Sequence, residues 1–192
     1  MPDRPGARGP EIILVMGVAG SGKTTLGRRL AAALGAPFIE ADDYHSPANL
    51  NKMRAGVPLD DADRAPWLAS LAQALSVAAS ARARVVCACS ALKRAYRERL
   101  RRGSAVPLFL IYLDADRELL RARLVQRRSH FMPASLLESQ LQSLEPPDAS
   151  EEALRLNAAL PVEELVAVAQ GVLARRVDGA TGASQPSAPG KG

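Results

Sequence analysis

The chain has 192 residues, of which 47% are hydrophobic and 23% charged, a composition that favours one folded domain and excludes global disorder. No apolar run approaches the roughly 20 residues that span a bilayer, so no membrane partner is expected. The 25 basic residues outnumber the 20 acidic ones, and the net charge of +5 attracts anions. Aromatic residues make up only 4%, which leaves few stacking platforms for single strands, so no nucleic-acid partner is expected.

Short apolar runs alternate along the chain with stretches of helical periodicity. Strands are predicted at 12–16, 37–40, 84–89, 108–113 and 153–157, and helices at 22–34, 48–55, 66–81, 92–102, 116–128, 133–144 and 161–175. Pro66 is expected in the first turn of its helix, where proline is tolerated. The alternation favours an α/β fold, with a parallel five-stranded sheet, helices on both faces, and ligands beyond the carboxyl ends of the strands.

One domain is expected over residues 11–177, because a length of 192 residues favours a single domain, and the chain shows no internal repeat. Within it, the polar stretch 41–66 is too long for an ordinary connection, which predicts a functional insert containing a short helix. Residues 1–10 and the tail 178–192, rich in Gly, Ser, Pro and Ala, are expected to be disordered.

The two cysteines, Cys87 and Cys89, lie in an apolar run and are expected to be small core residues. In a strand they are expected to point to opposite faces, which is poor geometry for a disulfide between them. Residues 1–10 also lack the apolar stretch of a secretory signal. A reducing, cytoplasmic location is the simplest expectation.

The residues directly after the first predicted strand form a phosphate-binding pattern. They read Gly17-Val18-Ala19-Gly20-Ser21-Gly22-Lys23-Thr24 and fit G-x-x-x-x-G-K-[ST] in the strand–loop–helix context that the pattern requires. Lys23 is expected to reach the outer phosphates, and Thr24 to hold Mg²⁺. We therefore expect a nucleoside triphosphate to bind through residues 17–24 and the adjacent Thr25, rather than an unliganded glycine turn.

Further segments follow the loop in a fixed order. They are Asp42-Asp43-Tyr44-His45, then Lys52-Met53, then Pro58-Leu59-Asp60-Asp61-Ala62-Asp63-Arg64, then Pro66-Trp67-Leu68, then Cys89-Ser90-Ala91-Leu92-Lys93 with Tyr96-Arg97, and finally Arg123-Leu124 with Arg127, His130, Phe131 and Ser139-Gln140. With the phosphate loop, they closely resemble the gluconokinase family from about residue 12 to 147. The family often has asparagine at the position of Asp60.

The resemblance implies the fold of the small P-loop kinases, with the stretch 41–66 as a helical substrate-binding insert and a lid at about 123–146. It implies that ATP and Mg²⁺ are used to phosphorylate D-gluconate on its 6-hydroxyl. It also implies a possible homodimer.

Two acidic residues and a histidine follow the second predicted strand, beside the phosphate loop. There the carboxylate of Asp42 can take the proton of a substrate hydroxyl, although an N-cap or a contact with Mg²⁺-bound water is an alternative and Asp43 is a second candidate. His45 is expected to contact the polyol or carboxylate of the substrate, with a buried structural histidine as the alternative.

Four more residues are candidates for binding the substrate. Lys93 opens a predicted helix, where the dipole disfavours a cation, so a gluconate carboxylate or the transferred phosphoryl group is expected beside it. Ser90 directly follows the third predicted strand, 84–89, and is the second candidate. Lys52 is either a substrate ligand or a solvated helix residue, and Arg64 either clamps the substrate or pairs with Asp63.

The remaining candidates belong to the predicted lid. Arg123, Arg127 and His130 precede its helix, and arginines there can neutralise charge as the γ-phosphoryl group moves. Arg127 is the candidate for the catalytic arginine, while Arg123 is a nucleotide contact or a surface residue. His130 is expected on the substrate side.

Two other functions are alternatives to this interpretation. A shikimate-kinase-like enzyme is expected to have a glycine-rich segment where this chain has Cys89-Ser90-Ala91-Leu92-Lys93. A nucleotide-binding regulatory or nucleic-acid-associated protein would suit the net charge, but no recognition motif supports it.

Overall fold

A computed structural model of the chain describes residues 10–82, 84–126 and 134–181. Strands and helices alternate in these ranges: β1 (Glu11–Met16), α1 (Lys23–Leu34), β2 (Phe38–Glu40), α2 (Pro47–Arg54), α3 (Asp61–Arg82), β3 (Arg84–Ala88), α4 (Arg94–Ser104), β4 (Leu108–Asp114), α5 (Arg117–Gln126), α6 (Ala134–Ser143), β5 (Ala153–Asn157) and α7 (Val162–Thr181). A 3₁₀ turn, Ala41–Tyr44, follows β2.

The five strands form one parallel sheet in the order β2-β3-β1-β4-β5. In the central strand, Ile12 lies beside Val85 of β3 on one side and Leu108 of β4 on the other. The prediction of a five-stranded parallel α/β fold is confirmed. The order reverses next to β1, so the loop after β1 lies in the crevice where such sheets bind ligands.

Both faces of the sheet are covered, as the unbroken apolar character of β1 predicts. Ile12 and Leu14 pack with residues of α3 and α4, while Ile13 and Val15 pack with residues of α1 and α7. A third cluster lies at the carboxyl edge of the sheet and joins the phosphate loop to α5 and α6; its buried members are Val18, Leu92, Leu120, Leu124 and Leu137. This cluster fixes α6 beside the loop.

Helix α3 begins earlier than predicted, at Asp61, so Pro66 lies inside the helix rather than in its first turn. The reason is a reciprocal cap. The Asp63 N–H donates to Oδ1 of Asp60 at 2.7 Å, and the Asp60 N–H donates to Oδ2 of Asp63 at 3.0 Å. This is a capping box with aspartate in place of the usual glutamate, and it supports the start of the helix ahead of the proline.

Replacing Asp60 by alanine is expected to lower the free energy of unfolding by about 1 kcal/mol, because the N–H group of Asp63 loses its acceptor. Asparagine keeps that acceptor, so Asp60→Asn is the matched control. It should change the free energy of unfolding by only about a few tenths of a kcal/mol. Urea unfolding of the three proteins measures both values. Equal losses in the two variants would show that charge, rather than capping, is the contribution of Asp60.

The two cysteines correct one prediction. Both are free and buried, as expected of core residues, but they pack in the same core cluster. Residues two positions apart in a strand share a face, so the expectation of opposite faces was wrong. Burial raises the pKa of the Cys89 thiol to about 12, which leaves it protonated and unreactive at neutral pH.

Helix α7 extends to Thr181, so the expected start of the tail, at Asp178, falls within a helix. Residues 1–9 and 182–192, for which disorder was predicted, lie outside the described residues. Among the helices in the described ranges, none is long and apolar enough to cross a membrane.

Candidate active site

The phosphate loop makes a tight turn between β1 and α1. Gly17 has φ +146°, and a Cβ there would lie 2.9 Å from the carbonyl oxygen of Leu113 and 2.8 Å from Oγ of Ser21. Gly20, at φ +86°, is likewise in a conformation that L side chains rarely adopt. Only glycine therefore fits at these two points of the loop.

Lys23 is the first residue of α1, and its side chain turns back over the loop. Its Nζ donates to the carbonyl oxygen of Val18 at 3.0 Å. The ammonium group is thus held over the turn of the loop.

A group of acidic residues lies beside the loop, where the predicted Mg²⁺ ligand Thr24 is also found. Burial raises the pKa of Glu40, and its hydrogen bond with Thr24 opposes this. The charges of Asp42 and Asp43 raise the pKa of Glu40 further. Oxygen ligands in a negative field suit Mg²⁺. Among the described residues, no three acidic, His or Cys side chains form a complete metal site.

A cleft opens on one side of the loop, between the 3₁₀ turn, the start of α3 and helix α6. Of the predicted site residues, it brings together Ala19, Lys23, Asp42, His45, Arg64 and Ser90. The cleft therefore combines a carboxylate, an imidazole and two cations within reach of the phosphate loop.

His45 forms part of the wall of this cleft. Its ring stacks on Trp67, with the ring centroids 4.2 Å apart, and its side chain is only 5% exposed. Nε2 lies 4.0 Å from Oδ1 of Asp42. Within the described part of the chain, Nδ1 is buried and has no hydrogen-bond partner. Trp67 is held in turn by a 2.7 Å hydrogen bond from Nε1 to the carbonyl oxygen of Ala41.

The fluorescence of Trp67, the only tryptophan, is expected to titrate with a midpoint below the ordinary histidine value of 6.5. Burial lowers the pKa of His45, and the charge of Asp42 opposes this only in part. A stacked imidazolium quenches indole emission, so emission falls on acidification. Because the pKa of His45 is lower in the folded protein, the folded protein binds fewer protons at this residue than the unfolded one. The free energy of unfolding therefore also falls as the pH drops below about 6.5. The control His45→Asn should abolish the fluorescence step, and a midpoint above 6.5 would contradict the assignment.

Arg64 faces the cleft from the first turns of α3. Its guanidinium group lies 5.5 Å from the ring centre of Tyr96, and Nη1 donates to the carbonyl oxygen of Leu59 and, at 3.3 Å, to the Tyr96 hydroxyl. The predicted alternative of a pair with Asp63 is wrong, because Asp63 is bound by Lys52. Arg64 is therefore a positioned cation in the cleft wall.

The two other predicted lysines are held in ion pairs outside the cleft lining. Nζ of Lys93 donates to the Asp61 carboxylate at 2.8 and 3.0 Å, which raises the pKa of Lys93 and lowers that of Asp61. Nζ of Lys52 donates to the Asp63 carboxylate at 2.6 and 2.8 Å. Lys93 lies beside the cleft, 5.4 Å from the ring centre of Tyr96, so a substrate would have to draw it from Asp61.

A second pocket lies on the opposite side of the loop, between α1, the end of α5 and the segment after β5. Arg123 contributes to it, and its guanidinium group donates to the carbonyl oxygens of Ser21, at 3.3 Å, and Ala158, at 2.8 Å. Thr25 and Leu160 also line it. Sequence reasoning could not assign contacts to a nucleotide base, and this pocket is where such contacts can form.

The described residues cover only part of the predicted lid, and its role as a lid stays a prediction. Arg127 and His130 lie outside them. Helix α6 does lie against the loop, with Leu137 1% exposed. Its far end is fastened by Glu145, whose N–H donates to the carbonyl oxygen of Leu92 and whose carboxylate accepts from the N–H of Arg94 at 2.6 Å.

Sequence reasoning missed one buried residue near this junction. Arg97 is fully buried, pairs with Glu151 at 2.6 and 2.8 Å, and donates to the carbonyl oxygens of Ala91, Leu92 and Glu145. It ties the segment after β3 to the segment after α6. Arginine-rich α4 gave no local signal that this one side chain is buried.

The strand order, the phosphate loop and the two pockets on either side of it define a P-loop kinase. A family model described as an AAA domain matches residues 12–147. The chain is 45% identical over 175 residues to a probable gluconokinase of Rattus norvegicus. The matched region covers 82% of this chain and 95% of that protein.

It is also 49% identical over 148 residues to a gluconokinase of Gluconobacter oxydans, covering 77% of this chain and 83% of that one. The crystal structure of a gluconokinase from Sinorhizobium meliloti 1021 is similar with a TM-score of 0.82 and 42% identity, covering 93% and 99% of the two chains. The chain belongs to the gluconokinase family, as the resemblance predicted.

Proposed function

We propose that this protein transfers the γ-phosphoryl group of ATP to the 6-hydroxyl of D-gluconate, giving 6-phospho-D-gluconate and ADP. Membership of the gluconokinase family supports the reaction, and the observation that carries it in this chain is the cleft beside the phosphate loop. It combines Asp42, His45 and Arg64 within one cavity that also includes Lys23. A shikimate-like or regulatory function has no comparable support.

Asp42 is the proposed proton acceptor. As the oxygen of the 6-hydroxyl bonds to phosphorus, the bond from phosphorus to the bridging oxygen of ADP breaks and the hydroxyl proton passes to the carboxylate. Because phosphoryl transfer depends mostly on positioning and charge neutralisation, an ordinary carboxylate suffices as base. Asp42 lines the cleft, whereas Asp43 does not, which favours Asp42 of the two candidates.

The rest of the substrate is held by complementary polar groups. A guanidinium group suits a carboxylate, and Arg64 is the proposed partner of the gluconate carboxylate. The imidazole of His45 and the hydroxyl of Ser90, which both line the cleft, are the proposed contacts of the polyol. Lys93 and Lys52 are proposed to contribute charge from outside the cleft lining.

The nucleotide side has its own set of proposed contacts. The loop residues 17–25 are proposed to surround the phosphates, with Lys23 on the outer ones. Arg123 is proposed to lie beside the nucleotide base, which would occupy the second pocket. Thr24 would hold Mg²⁺ together with the phosphates, and the ion would supply neutralisation of phosphate charge. Arg127 and His130 remain predictions for the lid, as do a homodimer and a cytoplasmic location.

The deciding experiment is ADP release from Mg-ATP with a panel of acceptors: D-gluconate, idonate, 5-ketogluconate, shikimate, AMP and none. D-Glucitol, which lacks only the carboxylate function, is the matched control for the role of Arg64. Turnover is expected with D-gluconate and not with D-glucitol. Turnover with shikimate or AMP, and none with D-gluconate, would overturn the proposed acceptor while leaving the P-loop kinase fold in place.

A further inference from the structure

One contact crosses from helix α6 to the phosphate loop. The backbone N–H of Ala19, the third residue of the loop, donates to Oε1 of Gln140 at 2.7 Å. The two residues are 121 positions apart, so only the fold brings them together. Burial of Leu137 against Val18 holds this part of α6 in place, which makes the position of Gln140 a consequence of core packing.

The chemistry of the amide fixes its orientation. A backbone N–H can only donate, so the side-chain oxygen must face Ala19, and Nε2 with its two N–H donors must face another way. In the described ranges, no acceptor is bonded to Nε2. Gln140 also lines the cleft that contains Asp42 and His45.

We propose that Gln140 is an acceptor-binding residue: its Nε2 donates to a hydroxyl of the polyhydroxy acid while its Oε1 keeps the N–H of Ala19. This inference deepens the proposed function and rests on it. A sugar acid presents several hydroxyl oxygens as acceptors, and among the described cleft residues Asp42 offers only acceptors. An amide donor on the opposite wall complements it. The same side chain then joins substrate binding to the geometry of the phosphate loop.

The experiment compares Gln140→Met with Gln142→Met, an exposed glutamine two positions further along the same helix. Gln140→Met keeps the length of the side chain but loses both hydrogen bonds. The KM for D-gluconate is expected to rise about 3- to 10-fold, the effect of losing a neutral hydrogen bond. The KM for ATP should stay within about twofold. Gln142→Met should match the wild type in both.

A third variant separates the two hydrogen bonds. Gln140→Glu keeps an oxygen for the N–H of Ala19 but has no donor for the substrate. Hydrogen exchange of the Ala19 amide, followed by NMR, should therefore be faster than wild type in Gln140→Met and unchanged in Gln140→Glu. The KM for D-gluconate should rise in both variants.

Two results would overturn the role of Gln140. One is an unchanged KM for D-gluconate in Gln140→Met. The other is an equal rise in both KM values with a lower melting temperature, which would show that Gln140 only packs α6. A wild-type protein that does not phosphorylate D-gluconate at all would instead overturn the proposed function, so the two failures are distinguishable.

Discussion

Replacing Lys23 by alanine is expected to reduce kcat with D-gluconate by about 1,000-fold or more, a loss of roughly 4 kcal/mol of transition-state stabilisation. The ammonium group lies over the loop, 3.0 Å from the carbonyl oxygen of Val18. At that position it neutralises charge on the phosphoryl group as the group moves, and the described cleft residues include only one other cation, Arg64. Single-turnover measurements with saturating Mg-ATP separate this loss from weakened binding.

Arg29→Ala is the matched control for this substitution. Arg29 is on the same helix, and its side chain is 60% exposed and paired with Glu163. It should leave kcat unchanged. Circular dichroism and thermal unfolding should show both variants folded, because neither side chain contributes to the core. A rate within about tenfold of wild type in Lys23→Ala would contradict the assignment of the phosphate loop.

Asp42→Asn is expected to lower kcat by about 10²- to 10⁴-fold, the usual contribution of a positioned general base. Asparagine keeps the shape of the side chain but cannot take a proton. Binding of ATP should change little, because Asp42 lines the cleft proposed for the acceptor and not the second pocket, which is proposed for the nucleotide base. Kinetics over a range of D-gluconate concentrations, with ATP binding measured separately, test both statements.

The neighbouring Asp43 provides the comparison. It is exposed and does not line the cleft, so Asp43→Asn should retain most of the activity. The reverse pattern would make Asp43 the base. A collapse of ATP affinity in Asp42→Asn, with turnover intact at saturating substrates, would place Asp42 on the nucleotide side.

Much of the fold could be predicted because its signals are local. The wholly apolar β1 is buried on both faces, and the glycines at 17, 20 and 22 all adopt positive φ angles. The start of α3 was missed because an aspartate-rich stretch looks like a loop until the reciprocal cap of Asp60 and Asp63 is seen. A search for capping boxes that accepts aspartate at the third helical position would have found it.

The site was predictable where residues follow a strand end and not where distant elements meet. Asp42 and His45 come directly after β2, and the structure places both in the cleft. Glu40, the last residue of that strand, was overlooked although it carries the same positional signal. The pairing of Lys93 with Asp61, like the contact of Gln140 with Ala19, depends on packing between helices, which no local pattern records.

The pairing of the central strand has a consequence for the order of folding. β1 precedes both of its partner strands along the chain, and these begin at Arg84 and Leu108. Contacts so distant along the chain form late, because the closure of long loops costs entropy before any pairing repays it. We therefore expect the phosphate loop, which follows β1, to take its final shape only after β4 has joined the sheet. Nucleotide binding during refolding should thus report completion of the sheet rather than early collapse.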